Sequence, residues 1–156
     1  MRATLLAAGL AALAPAAQAE MRDETHIISG KQVKIAVVGT IEIMTVGLDE
    51  EQIPVLSGAD VAILGFPGDA DSVALVGQPV LLVEVTGTHS CETGDARAYW
   101  AVTLDDPPMS DGPVTTCQAL TPGAAPGMAV LEADPTGEAG EVWAWTPGKG
   151  WSGQAE

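Results

Sequence analysis

The chain reads as an all-β protein, a small antiparallel sandwich or partly open barrel with one disulfide. Three observations predict this class. Apolar residues alternate along short runs more often than they recur at helical spacing. Gly- and Pro-rich turn signals separate the runs at intervals of about ten residues. Two cysteines, Cys91 and Cys117, stand in a chain that opens with an export signal.

That opening segment comes first. Arg2 gives a positive start, Ala3 to Ala14 is uncharged and apolar, and Ala17-Gln18-Ala19 is a small-x-small cleavage site ahead of Glu20. Residues 1–19 therefore read as a secretory signal peptide and 20–156 as one β-rich domain, placed in the periplasm or secreted. A spanning helix would need about 20 mostly apolar residues, and Pro15 and Gln18 interrupt this run, so no membrane span is expected. No cysteine precedes Cys91, so the mature N-terminus is not that of a lipoprotein.

Along the remainder, Val33, Ile35 and Val37 share one strand face, as do Leu81, Val83 and Val85. The clearest strand has Ala98, Trp100, Val102 and Leu104 on one side and Arg97, Tyr99, Ala101 and Thr103 on the other. Val114 to Leu120, Met128 to Leu131 and Glu141 to Thr146 continue the series, and Ile41 to Val46, Val61 to Leu64 and Ser72 to Val76 are further short β-branched or apolar runs. Turn signals fall at Ser29-Gly30, Gly39-Thr40, Pro67-Gly68-Asp69, Asp105 to Pro113, Thr121 to Gly127 and Pro147 to Gly150, among others. Only Leu48 to Gln52 looks like a helical turn, limited by Pro54. Lys34 to Gly39 could open a doubly wound nucleotide-binding sheet. No second and third glycine and no long amphipathic helix follow it, which excludes that fold.

With 6 basic against 21 acidic residues the formal charge is −15, and signal cleavage would remove Arg2 and no acid. Nucleic acid is excluded as a partner, because phosphate backbones are bound by clustered Lys and Arg and these are few and scattered. In an oxidising compartment Cys91 and Cys117 have one intramolecular pairing, and closing that loop would stabilise the fold by roughly 3 to 4 kcal/mol.

Catalytic material is thin. His26 and His89 are the only histidines, and neither H-E-x-x-H nor G-x-S-x-G occurs. In His89-Ser90-Cys91 strand geometry sends neighbours to opposite faces, so the histidine is poorly placed as base to that serine. For a hard cation the best segments are Asp69 and Asp71, then Asp105, Asp106 and Asp111 in a Pro-rich loop. These would suit Ca2+, the one cofactor worth weighing, although turn-forming aspartates explain them as well. Five of the six aromatics lie late in the chain. Trp143 and Trp145 share a strand face, with Trp151 returning after the turn. Exposed, the three would form a platform for a sugar ring or peptide; buried, they would fill the place where sheets meet.

The stretch Leu81 to Cys117, in which two cysteines bracket the Tyr99-Trp100 strand, resembles a group of uncharacterised exported proteobacterial β-rich proteins with a Cys…Tyr-Trp…Cys strand pair. The resemblance implies a periplasmic β-rich fold with the pair bonded, and no activity or ligand. The reading leans away from an enzyme, toward a non-enzymatic periplasmic binding or envelope-associated interaction module that meets an envelope or secreted partner. The alternatives are a calcium- or carbohydrate-binding module, and a hydrolase using paired carboxylates.

Overall fold

A computed structural model describes residues 23–65, 70–92, 94–133 and 140–154. The segment 1–19 read as a signal peptide, Phe66 and the turn expected at Pro67-Gly68-Asp69 lie outside the described residues. Among the described residues the chain folds into twelve strands and one short helix, with every strand pair antiparallel. The all-β expectation holds. The strands form three four-stranded meanders rather than the two meeting sheets that the aromatic argument assumed.

The first sheet is built from β1 (Asp23–Ile28), β2 (Lys31–Val38), β3 (Ile41–Leu48) and β4 (Glu51–Gly58), in that order. Two-residue connections join them, the first through Ser29 and Gly30 at φ 50° and 78°, the backbone that a tight hairpin requires. The second sheet follows the same plan with β5 (Asp60–Gly65), β6 (Val80–Cys91), β7 (Gly94–Thr103) and β8 (Met109–Thr116). Helix α1 (Ala70–Val76) lies between β5 and β6. The third comprises β9 (Thr121–Ala125), β10 (Met128–Glu132), β11 (Val142–Thr146) and β12 (Gly150–Gln154).

The second sheet is the middle layer. Leu81, Val83 and Val85 of β6 and Ala98 and Val102 of β7 pack with Val33, Ile35, Met44 and Val46 of the first sheet. The intervening residues Val80, Leu82, Tyr99 and Ala101 turn the other way, into a second core with Leu120, Ala129, Leu131 and Trp145. Val80 to Val83 are fully buried without a break, as expected of a strand covered on both faces. Each such side chain contributes about 1.5 to 3 kcal/mol of transfer free energy. The first and second sheets are also tied by a directed bond, since the buried Glu42 of β3 accepts from the Val61 N–H of β5 at 2.7 Å.

Several local expectations need correction. Leu48 to Gln52 is not a helical turn: Leu48 ends β3, Asp49 takes φ 46°, and the chain enters β4 at Glu51. Pro54 is tolerated inside β4 because this strand is a sheet edge and the register shifts opposite Met44 and Thr45. Ser72 to Val76 belongs to α1 rather than to a strand. The turn-like stretches Asp105 to Pro113 and Thr121 to Gly127 each contain an edge strand, β8 and β9. No helix among the described residues is long and apolar enough to cross a membrane.

Candidate functional site

Cys91 and Cys117 form the disulfide, with Cα atoms 5.9 Å apart. Cys91 ends β6 and Cys117 follows β8, two strands separated in the sheet by β7. The bond therefore closes the end of the middle sheet around the start of β7. Just beyond it the chain is pinned on its way to the third sheet. The Thr116 hydroxyl accepts from the Gln118 N–H at 3.1 Å, while the Tyr99 hydroxyl donates to the Gln118 carbonyl at 3.2 Å and accepts from the Leu120 N–H at 2.9 Å.

Tyr99 is fully buried. Burial pushes its hydroxyl up to about 12, with the Leu120 N–H working in the opposite direction and the Glu84 carboxylate adding to the rise. Glu84 stands directly opposite Tyr99 across β6 and β7. It is itself buried and receives Nη1 of Arg97 on both oxygens, at 2.8 and 2.9 Å. The Glu84 hydrogen bond and charge raise the Arg97 guanidinium further above its ordinary value. A carboxylate, a guanidinium and a phenol brought together inside a sheet could suggest catalysis. Here Glu84 takes Nη1 of Arg97, and the phenol is bonded to the 118–120 backbone, which ties the middle sheet to the chain entering the third.

The three tryptophans lie on the face of β11 and β12 that meets the middle sheet. Trp145 and Trp151 are direct cross-strand partners, and Trp143 pairs with Gly153. The Trp143 ring lies over that glycine so closely that a Cβ there would come within 2.2 Å of it. Trp145 is 3% exposed, and Trp143 and Trp151 are partly buried against the same core. Trp145 is thus part of an inner wall, with Trp143 and Trp151 partly exposed at its margin.

What the wall presents outward is an anchored acid. Asp111 of β8 accepts from Trp145 Nε1 on its carboxylate at 2.9 Å and from Trp151 Nε1 on its carbonyl at 3.0 Å. A side chain at Gly150 would place its Cβ 2.9 Å from Asp111 Oδ2, at a backbone φ of 78°, so only glycine lets the hairpin close on this acid. Around Asp111 opens a recess of about 500 Å³ of mixed character, with Gln78, Asp105 and Lys149 beside Met109 and Trp145 in its lining. On the other side of β8 is an apolar recess of about 430 Å³ lined by Ile41, Ile43, Pro54, Val55 and Trp100. Ser110 borders both.

The remaining sequence candidates are distributed as follows. Asp105 shares the recess with Asp111, its carbonyl accepting from Lys31 Nζ, and Asp106 follows it in the loop before β8. Asp71 falls within α1 and Asp69 outside the described residues. Among the described residues, no group of three or more His, Cys, Asp or Glu side chains is placed to hold a metal ion. His26 in β1 pairs with Glu24 two residues earlier, and His89 falls within β6. Sequence reasoning missed the Glu84–Arg97–Tyr99 group. Its available signal was a single carboxylate inside the apolar run Val80 to Val85, with Arg97 at matching parity on the next strand.

Comparison with known proteins finds no matching family model, no similar curated protein and no similar solved structure.

Proposed function

We propose that the protein is an exported, non-catalytic binding module that engages an envelope or secreted partner through the surface along β8. The observation that carries this reading is the junction at Ser110 of a mixed recess, charged at Asp105, Asp111 and Lys149, and a more apolar one. Interaction surfaces combine a desolvated apolar centre with a polar rim in this way. Export is supported by Arg2, the apolar run Ala3 to Ala14 and the Ala17-Gln18-Ala19 site, and a disulfide suits the oxidising compartment that such a signal leads to.

The test is cross-linked recovery from the exported compartment, comparing the native chain with Ser110→Arg, whose long charged side chain would obstruct the junction of the two recesses. A stoichiometric partner should be recovered by the native protein and lost by the variant, with the melting temperature unchanged. Equal recovery by both, or no partner at all, counts against the reading.

A second reading, a small polyhydroxylated ligand, is favoured by one specific arrangement. Asp111 is held by two indoles as a fixed acceptor, and Lys149 lines the same recess as a donor. Melts with oligosaccharides, with calcium and with EDTA address this reading, because a ligand specific to the folded state raises the midpoint by mass action. An unchanged midpoint in every case removes it.

A further inference from the structure

Three stacked meanders have six edge strands, and five of them carry a device against further pairing. β4 contains Pro54 and a register shift. β5 contains a shift between Ile63 and Gly65 and lies near β9. β8 contains Pro113 and a shift at Tyr99/Ala101. β9 contains Pro122 and is covered by α1. β12 carries Gly150 and Gly153 and lies against β8. Such interruptions and covers are how sheet edges avoid unwanted partners.

β1 has none of these. All six of its residues pair with β2 in unbroken register, from Asp23 opposite Ala36 to Ile28 opposite Lys31. It contains neither proline nor glycine, and β2 is its one substantial neighbour among the described elements. The two-residue turn makes Ile28 and Lys31 the hydrogen-bonded closing pair, so Ile28, His26 and Glu24 direct their backbone groups to β2. Asp23, Thr25 and Ile27 then turn N–H and C=O outward. The side chains of these three residues are exposed, Ile27 at 68%.

We propose that the outward edge of β1 takes up an extended strand of a partner protein, antiparallel, apolar in its first half and basic in its second. An antiparallel strand begins opposite Ile27 and Ile28 and ends opposite Asp23 and Glu24. Backbone bonds to Asp23, Thr25 and Ile27 supply the attachment, and alternate side chains select the sequence. The carboxylates at the start of β1 are its only guard, and they choose the sign of the occupant. A second copy is disfavoured on the same grounds. Pairing β1 with β1 about a twofold axis centred on Thr25 or His26, the registers of greatest overlap, sets Asp23 against Ile27 or Glu24 against Ile28, between two chains that each carry −15.

The inference rests on the protein being a binding module but not on the β8 surface. The probe is a fluorescent peptide as long as β1, alternating valine with threonine in its first half and lysine with threonine in its second, titrated against the full chain by anisotropy. Saturable binding that weakens with added salt is expected. Thr25→Pro removes only an outward N–H, so it should keep the native melt and weaken binding about tenfold or more. Asp23→Lys leaves the backbone intact and should weaken binding of the same peptide by a similar factor, which keeps the test decisive if the proline variant does not fold. The proposal is overturned by a native chain that does not bind the peptide, by folded variants that bind it as well as the native chain does, or by a concentration-dependent dimer that Thr25→Pro dissolves. Recovery of an envelope partner by native and Thr25→Pro chains alike overturns it too, while leaving the binding-module reading in place.

Discussion

The two faces of the middle sheet are made from alternate residues of the same strands, yet they hold their neighbours by different means. Toward the first sheet β6 and β7 present Leu81, Val83, Val85, Ala98 and Val102, against Val33, Ile35, Met44 and Val46. That interface is aliphatic at its centre, where the Val61 N–H donates a directed bond to Glu42. Toward the third sheet the same strands present Leu82, Tyr99 and Ala101 beside the Glu84–Arg97 pair, and meet Leu131, Trp145 and Trp151. Directed bonds recur there, from Tyr99 to the 118–120 backbone and from two indoles to Asp111. Aliphatic packing tolerates volume-conserving exchange, whereas a buried hydrogen-bonded group resists any change that leaves its partner unpaired. The first interface should accept repacking that the second does not.

The sharpest contrast uses adjacent residues. Leu81 and Leu82 are both fully buried and face opposite cores. Leu81→Ala and Leu82→Ala should each destabilise by about 3 to 5 kcal/mol, read from chemical denaturation, while Leu→Met should be milder at 81 than at 82. Equal penalties for Leu→Met at both sites would erase the distinction between the faces. Next in size is the disulfide, whose cysteines lie 26 positions apart. Cys91→Ser or Cys117→Ser should cost about 3 to 4 kcal/mol, and identical melts with and without reductant would refute a structural role.

Arg97→Met tests the polar face alone. It leaves the buried Glu84 carboxylate without its guanidinium, and a loss of about 2 kcal/mol is expected. No loss would mean that the pair contributes nothing net. Tyr99→Phe is the smallest change, at about 1 kcal/mol near neutrality, and it carries a signature in pH. The folded state holds the Tyr99 proton that an unfolded chain releases near the ordinary tyrosine value of 10.0. The associated stability is complete below that pH and is lost as pH rises through the folded value of about 12. The advantage of the native chain over Tyr99→Phe should therefore fall steadily across that window, and a constant gap would show that burial does not perturb the phenol.

Much of the architecture was legible in the chain. The alternation of Ala98, Trp100, Val102 and Leu104 and the Gly/Pro punctuation mark strands by their own physics, and two cysteines allow one intramolecular pairing. The third layer was hidden because alternation reports only one buried face. Val80 to Val83 is apolar at every position, and reading Leu81, Val83 and Val85 alone assigned it a single side. β1 escaped notice because Asp-Glu-Thr-His carries no apolar period, its place being set by pairing with β2. At the site, the aspartates offered chemistry without arrangement. That Asp111 faces Trp145, 34 positions away, is a tertiary fact that no local pattern encodes.

Hydrogen–deuterium exchange resolved by residue tests the central claim, one sheet serving two cores, most directly. The amides of Leu81 to Val85 and Ala98 to Val102 should exchange slowest, at the rate set by global unfolding, with the strands of both outer sheets faster and Thr25 and Ile27 of β1 fastest. Middle-sheet amides that exchange as quickly as those of the outer sheets would contradict it.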